Sequence, residues 1–305
     1  MQETSKAAGD AAGAAAPAAP RAFEIPAGLL PYLLLAPSLI FLAFLFAWPL
    51  IEAFVIAFST EAGFSLENFQ RMVGDLYFAD ALRNTLALVV VVVPLQLAFA
   101  LAMSVLLTRL ERGRDLILYI WTIPLGISDL AAGLVWLAIL TESGYLNTVL
   151  AGLGLIEGPT LWLSYETPLA LFLAVVVAET WRATAIVLVI LVAGIQLIPK
   201  EYAEAAEVFG AGPWQRFVKI TLPLLKPSLQ VALILRTILA FEVFAVVVAL
   251  GGRNLPVLVG EAYYWQDQYR DSGVASAYAV LILLISMAAT FAYLRLVRVR
   301  EETLG

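Results

Sequence analysis

The strongest constraint on the fold is a set of six long apolar segments, which cover residues 28–58, 84–108, 116–141, 167–198, 224–250 and 272–294. About 20 residues at a rise of about 1.5 Å cross the roughly 30 Å hydrocarbon layer of a bilayer, so each segment can span a membrane as a helix. Because 62% of the chain is hydrophobic and only 14% is charged, a soluble core of 305 residues cannot hide these side chains. The sequence predicts an all-α membrane protein with six transmembrane helices.

The first residues differ from the rest in composition. Residues 1–26 are rich in Ala, Pro and Gly and are predicted to form a disordered tail. They do not have the order of a signal peptide, because Glu3 and Asp10 precede any apolar core. The predicted transmembrane domain therefore covers residues 27–300.

The Lys and Arg residues indicate the orientation of the segments. With the N-terminus in the cytoplasm, four basic residues lie outside: Arg71, Arg83, Arg253 and Arg270. Twelve lie inside: Lys6, Arg21, Arg109, Arg112, Arg114, Lys200, Arg216, Lys219, Lys226, Arg295, Arg298 and Arg300. This distribution predicts that both termini are cytoplasmic and that the segment 199–223 is a cytoplasmic loop. The aromatic residues of the predicted external segment 251–271 are typical of a headgroup-level belt.

Several classes of function are excluded by missing residue types. The chain has no Cys and no His, which excludes Ser–His, thiol and His-based metal sites. It has no phosphate-binding G-x-x-x-x-G-K-[ST] loop, and its net charge of −6 with no basic patch argues against nucleic acid as a partner. Asp129 has no evident partner for an aspartyl mechanism. A secondary transporter and a structural anchor remain as alternatives.

The segment between the fourth and fifth spans has a helix–turn–helix pattern. Residues 200–209 favour a helix that places Tyr202, Ala205, Ala206 and Phe209 on one face. Gly210 is predicted to end this helix with a positive φ. Pro213 suits the first position of a second helix.

This loop carries a specific motif. Glu204-Ala205-Ala206 is followed after three residues by Gly210, and after nine more by Ile220, Leu222 and Pro223. The pattern resembles the EAA loop of permease subunits in bacterial ATP-driven (ABC) importers. Other stretches resemble the carbohydrate-uptake branch, which includes maltose, trehalose and glycerol-phosphate importers: Trp48-Pro49-Leu50, residues 66–69, Ile123-Pro124, Trp136, Trp181 and Arg236-Thr237. The resemblance covers about residues 30–298.

The resemblance implies a type I ABC importer permease fold with a cytoplasmic EAA coupling helix, located in the bacterial inner membrane. It also implies a second six-helix permease, two cytoplasmic ATPase subunits that bind ATP and Mg, and an extracellular solute-binding protein. The implied cargo is a sugar such as trehalose or maltose, and glycerol phosphate remains open. The residues that the resemblance assigns to ATPase coupling are Glu204, Ala205, Ala206, Phe209 and Gly210.

Six charged residues fall within the apolar spans: Glu52, Asp129, Glu179, Arg182, Arg236 and Glu242. Each would cost about 2.5–3.5 kcal/mol if it faced lipid at mid-depth, so these side chains should face the bundle, water or one another. Glu179 and Arg182 are i, i+3 neighbours that can pair. Arg236 and Glu242 are six residues apart, so each is expected to have its partner on another helix. Glu52 and Asp129 are interpreted as structural or near an interface. The candidate substrate path comprises Glu179, Arg182, Ala183, Arg236, Ala240, Glu242 and Val243.

A few positions depart from the pattern of the resembled family. Relatives often have Pro-Phe where Ala185-Ile186 stand, Asp at Leu239, a basic residue at Glu242 and Asp at Ala245. These positions lie where the family handles its solute. The resemblance therefore predicts the type of transporter, an ABC importer, more firmly than it predicts the identity of the solute.

Overall fold

A computed structural model of the chain describes residues 28–61, 63–108, 110 and 112–296. The predicted disordered tail, residues 1–26, lies outside the described residues. The chain forms two compact units, one ending at Ile51 and the other beginning at Glu52.

The first apolar segment is a helical run of 28 residues, made of α1 (Leu30–Leu42), a π-helical turn (Ala43–Ala47) and α2 (Trp48–Ala57). Pro49 has no N–H to donate to the carbonyl of Leu45, four residues earlier. A π turn just before a proline is a common way for a helix to absorb this missing bond.

Short elements follow α2. The strands β1 (Ser59–Thr60) and β2 (Gly63–Phe64) form an antiparallel hairpin in which Ser59 pairs with Phe64. Helix α3 (Glu67–Val73) follows the hairpin. Asn68 holds this region together, because its side-chain amide donates to the carbonyls of Ile56, Ala57 and Ser59 at 3.1–3.2 Å.

The second and fourth segments are single long helices, and the third is broken. Helices α4 (Phe78–Thr108) and α8 (Pro168–Gln196) pack against each other along much of their length. Between them lie α5 (Arg114–Thr122), a 3-10 turn (Ile123–Gly126), α6 (Asp129–Leu140) and α7 (Tyr145–Gly152). The break contains Pro124, and Ser128 starts α6 afresh by accepting a hydrogen bond from the Ala131 N–H at 3.2 Å. The third predicted span is therefore two helices joined by a turn.

The fifth segment is bent and interrupted as well. After α9 (Lys200–Val208) come α10 (Pro213–Arg216), a π turn (Phe217–Thr221) and α11 (Leu222–Leu224). A bend of 66° then leads into α12 (Lys226–Phe241). The helix stops at Phe241 and resumes as α13 (Ala245–Leu250). Counting the bent pair as one span gives six helices apolar enough to cross a membrane in the described part of the chain, so the predicted fold class is confirmed.

The last part of the chain contains a 3-10 turn (Gly252–Asn254), α14 (Leu258–Asp267) and α15 (Ser272–Leu296). Buried aliphatic side chains of α4, α8 and α12 form one hydrophobic cluster, and those of α4, α8 and α13 form another. The close approach of α8 and α12 depends on Gly194, because a Cβ there would lie 2.2 Å from the Ser228 hydroxyl oxygen.

Helices α3, α4, α14 and α15 are joined at one end of the bundle, which we call the α3–α14 end. Asp75 accepts hydrogen bonds from Trp265 Nε1 at 2.8 Å and from the Tyr278 hydroxyl at 3.0 Å. Arg71 Nη2 lies 2.5 Å from Asp271 Oδ2. These contacts connect residues about 200 positions apart, so both halves of the chain are needed to build this end.

A second polar cluster lies at the same end. Arg253 Nη2 is 2.6 Å from Glu261 Oε2, and the guanidinium lies 4.3 and 4.4 Å from the ring centres of Tyr77 and Tyr264. Burial raises the pKa of the Glu261 carboxyl, and its contact with Arg253 opposes that rise. Tyr264, predicted to lie in an interfacial belt, is thus also a packing partner of an arginine.

Candidate functional site

A chain of hydrogen-bonded polar side chains lies in the middle of the helix bundle. Glu179 of α8 and Arg236 of α12 are each only 1% exposed, and Arg236 Nη2 is 2.8 Å from Glu179 Oε2. Gln96 of α4 joins the pair, since its amide donates to the Glu179 carbonyl oxygen at 2.8 Å and its side-chain oxygen accepts from Arg236 Nε. Three helices are therefore connected through buried polar groups.

Arg182 extends this chain toward a more exposed position. Its Nη2 lies 3.2 Å from Glu179 Oε1, one helical turn away on α8. Its Nη1 lies 2.6 Å from Asp129 Oδ1, at the start of α6. The predicted pairing of Glu179 with Arg182 is confirmed, and so is the prediction that Arg236 has its partner on another helix. The same prediction is wrong for Glu242, which has no ion-pair partner in the part of the chain that the structure describes, because it lies at the break after α12 with an exposed side chain.

We call the five residues Gln96, Asp129, Glu179, Arg182 and Arg236 the polar relay. In lipid, an unpaired charge at this depth would be expensive, and here each charged member of the relay has an opposite charge within 3.2 Å. The relay places Glu179 and Arg236 inside the bundle, as the sequence predicts, whereas the Asp129 side chain is 57% exposed.

A cavity of about 220 Å³ lies beside the polar relay. It is lined by Leu125, Asp129, Arg182, Ala183, Ile186, Arg236, Leu239 and Glu242. Leu125 and Asp129 flank the break before α6, while Leu239 and Glu242 flank the break after α12. Non-helical backbone at membrane depth is tolerated where it is buried in protein or lines a water-filled cavity. Both helix breaks lie at this cavity, so we take the cavity as the candidate functional site.

The predicted path residues fall into two groups. Arg182, Ala183, Arg236 and Glu242 line the cavity, and Glu179 lies behind them in the polar relay. Ala240 and Val243 do not line it and are buried in hydrophobic clusters. The cavity also contains Ile186 and Leu239, two of the positions that depart from the family pattern.

Two members of the site were not predicted for it from the sequence. Asp129, interpreted as structural or interfacial, lines the cavity and pairs with Arg182. Gln96 is uncharged and lies in a long apolar run, so its only signal was its rarity as a polar residue within that run. Glu52 lies on α2 and is exposed.

A second and more open cavity of about 500 Å³ lies at the α3–α14 end. Its walls come from the first turns of α4 and α8 and from residues 254–256. Asn84 lines it but donates its side-chain N–H to the Pro256 carbonyl at 3.0 Å. The predicted site residues lie elsewhere, so this cavity does not bear on them.

The EAA segment forms the predicted helix–turn–helix. Gly210 has φ of 77°, the N–H of Gly210 bonds to the Glu207 carbonyl at 2.9 Å and the N–H of Ala211 bonds to the Ala206 carbonyl at 2.9 Å. These two bonds form a Schellman motif, which ends α9 sharply. A Cβ at Gly210 would meet nothing within 4 Å, so the glycine is needed for its backbone angle rather than for space. Pro213 begins α10, as predicted.

The turn presents apolar side chains to the exterior. Val208 is 85% exposed, Phe209 89% and Trp214 74%. Glu204 and Ala205 are also exposed, and Ala206 is half-buried. One ion pair crosses the turn, between Arg216 Nη1 and Glu207 Oε2 at 2.6 Å. Exposed large apolar groups next to small residues are typical of a surface that another protein covers.

The sequence is similar to those of known proteins. The model of the family "binding-protein-dependent transport system inner membrane component" matches residues 85–300. The trehalose/maltose transport system permease protein MalF of Thermococcus litoralis is 32% identical over 285 residues, covering 89% of this chain and 94% of that protein. The sulfoquinovosyl glycerol transport system permease protein SmoG of Agrobacterium fabrum is 33% identical and covers 90% and 92%.

The fold is also known from experiment. A chain of a bacterial ABC transporter involved in import of the acidic polysaccharide alginate has a TM-score of 0.75 at 24% identity, covering 88% of this chain and 96% of that one. The family match and the two named relatives confirm the predicted resemblance to carbohydrate-uptake permeases. The chain therefore belongs to the binding-protein-dependent transport system inner membrane components, the permease subunits of ABC importers.

Proposed function

We propose that this chain is the permease through which a sugar crosses the inner membrane, driven by ATP hydrolysis in a partner subunit. The observation that carries the proposal is the continuity of α8 with the EAA loop. Helix α8 carries Glu179 and Arg182 at the cavity and ends at Gln196, and α9 begins at Lys200. A push on α9 is therefore applied within a few residues of the helix that forms one cavity wall.

The proposed machine contains more than this chain. A second six-helix permease completes the pore, two cytoplasmic ATPase subunits bind ATP and Mg²⁺, and an extracellular binding protein delivers the sugar. In this arrangement both termini and the EAA loop lie in the cytoplasm. The chain itself hydrolyses no nucleotide and acts by alternating between outward and inward openings.

The proposed coupling surface consists of Glu204, Ala205, Ala206, Phe209 and Gly210. The two alanines let an ATPase surface approach the backbone closely, and Glu204 offers a charge to a basic partner. Phe209 is 89% exposed and supplies an apolar anchor of the kind that dominates protein interfaces. Gly210 fixes the angle at which this anchor is held.

The proposed path runs along Arg182, Ala183, Arg236 and Glu242, which line the cavity, with Glu179 behind them in the polar relay. Ala240 and Val243, also predicted for the path, are buried in hydrophobic clusters and are not part of it. Carboxylates accept and guanidinium groups donate hydrogen bonds, which suits the hydroxyls of a disaccharide such as trehalose or maltose. A glycerol phosphate would need a free cation. Arg182 and Arg236 are both already paired with carboxylates, which favours the neutral sugar.

The coupling part of the proposal is tested by purification of the tagged full chain from native membranes in mild detergent. We expect an ATPase subunit and a second permease to be recovered with the wild-type chain. Glu204→Arg should remove the ATPase subunit, because it reverses the charge of the coupling surface. Glu157→Arg is the matched control, since Glu157 is also exposed but lies between α7 and α8.

The transport part is tested with the recovered complex in proteoliposomes, using labelled trehalose and maltose. Uptake should require the binding protein outside and ATP at the ATPase side. Recovery of the chain alone in every mild detergent, or equal loss of the ATPase with Glu157→Arg, would contradict the coupling assignment. Binding-protein-independent uptake driven by an ion gradient would instead favour a secondary transporter.

A further inference from the structure

The charges around the cavity do not balance. Three carboxylates, Asp129, Glu179 and Glu242, stand against two guanidinium groups, Arg182 and Arg236, so the site has a formal charge of −1. Both guanidinium groups are already within ion-pair distance of carboxylates. The positive charges are therefore neutralised inside the polar relay, and the excess is negative.

Glu242 is the source of this excess. It lies at the break between α12 and α13, lines the cavity and is exposed. Its carboxylate has no ion-pair partner among the residues that the structure describes. Asp129 and Glu179, in contrast, share Arg182. An anion entering the cavity therefore meets one carboxylate without a counter-charge.

Arg236 provides an independent sign that the cavity receives a ligand. The residue is 1% exposed and lines the cavity, yet its Nη1 has no hydrogen-bond partner in the described part of the chain. A buried donor without a partner is costly, so this N–H is free for an acceptor that arrives in the cavity. Because Glu179 already neutralises the guanidinium, a neutral hydroxyl oxygen satisfies it without a second negative charge.

We propose that Glu242 is the charge filter of this permease, so that the cavity admits uncharged polyhydroxyl solutes and rejects anionic ones such as phosphorylated or uronic sugars. The inference rests on the proposed function, because it assumes that the cavity lies on the solute path. Rejection by an unpaired like charge is an established way to obtain specificity. Arg236 supplies the hydrogen bond that a neutral solute gains, and Glu242 the repulsion that an anion meets.

The test uses the absence of cysteine from this chain. Leu239→Cys places a thiol on the cavity wall, and Leu153→Cys places one at a 68% exposed position away from the relay. Each thiol is modified in the complete importer with two methanethiosulfonate reagents, one carrying a cationic trimethylammonium group and the other an anionic sulfonate group. Mass spectrometry of this chain gives the rate of each modification. Ile186→Cys is a second cavity position in case the first variant does not assemble.

The quantity compared is the ratio of the cationic to the anionic modification rate. We expect this ratio to be about tenfold higher at Leu239→Cys than at Leu153→Cys, a factor that corresponds to about 1.4 kcal/mol. Adding Glu242→Gln to Leu239→Cys should return the ratio to that of the control, and Glu242→Lys should reverse it. Equal rates at the cavity, a bias that survives Glu242→Gln, or no modification by either reagent at both cavity positions would overturn the filter.

The outcomes separate this inference from the proposed function. The modification rates require no sugar, whereas the sugar assignment is tested by uptake. Absence of a charge bias at Leu239→Cys with Glu242 present, together with intact trehalose or maltose uptake, would overturn the filter alone. Absence of sugar uptake with an intact bias would overturn the sugar assignment alone.

Discussion

The polar relay and the EAA loop contain ion pairs of nearly the same length in opposite surroundings. Arg236 and Glu179 are 2.8 Å apart with both side chains 2% exposed. Arg216 and Glu207 are 2.6 Å apart, with 26% and 67% of their side chains exposed. The shorter bond is the one in water. Distance alone therefore says little about what each pair contributes to stability.

Burial decides the difference. Breaking a buried pair by removing one partner leaves an uncompensated charge and costs about 3–5 kcal/mol, whereas an exposed pair contributes about 0.2–1 kcal/mol. The relay pair is therefore expected to contribute far more to stability than the loop pair. The following predictions test this contrast.

The largest expected effect is that of Glu179→Met. It should lower the free energy of unfolding by about 3–5 kcal/mol, because Arg236 keeps Gln96 but loses its counter-charge. We expect a lower midpoint of thermal unfolding in detergent, measured by size exclusion after heating. The double variant Glu179→Met with Arg236→Met should recover part of the loss, since a buried pair is often replaceable by apolar residues. A double variant less stable than Glu179→Met would contradict this account.

A smaller and local effect is expected for Gly210→Ala. A non-glycine residue at a left-handed φ costs about 1–2 kcal/mol, so the turn between α9 and α10 should open more often. Hydrogen exchange at residues 207–211 should speed up by a factor of about 5–30, and the global unfolding midpoint should fall less than in Glu179→Met.

Gly212→Ala is the matched control for this loop. Gly212 has φ of −67°, and a Cβ there would also meet nothing within 4 Å. Hydrogen exchange in Gly212→Ala should match that of wild type. An equal acceleration in both variants would mean that the loop senses the added methyl group rather than the backbone angle.

The smallest effect is expected for Glu207→Gln. The loss of the pair with Arg216 should change the free energy of unfolding by less than about 1 kcal/mol, and the difference should vanish at high salt. Unfolding midpoints of the wild type and Glu207→Gln at low and high salt check this. A salt-independent loss as large as that of Glu179→Met would break the comparison between the two regions.

Local features of the site were predictable from the sequence. The i, i+3 spacing of Glu179 and Arg182 predicts their contact, because helix geometry alone places them together. The turn at Gly210 and the start of α10 at Pro213 follow from backbone rules that need no other part of the chain. These elements depend on residues within about ten positions of each other.

Contacts between distant segments were not predictable. Gln96 meets Glu179 across 83 positions and Asp129 meets Arg182 across 53. Which face of α4 or α6 turns toward α8 is set by packing, for which an apolar run of Leu, Val and Ala carries little signal. The break after Phe241 was missed for a similar reason, because residues 224–250 are apolar on both sides of it.

The α3–α14 end has a consequence for how the chain is made. Asp75 obtains its two donors from Trp265 and Tyr278, 190 and 203 positions later. At about 5–20 residues per second, a ribosome needs about 10–40 s to synthesise that intervening stretch. Throughout this interval the Asp75 carboxylate lacks both of its hydrogen-bond donors. Completion of the last helix therefore also completes the hydrogen bonds of Asp75, and a chain truncated before α14 would keep this carboxylate without either donor.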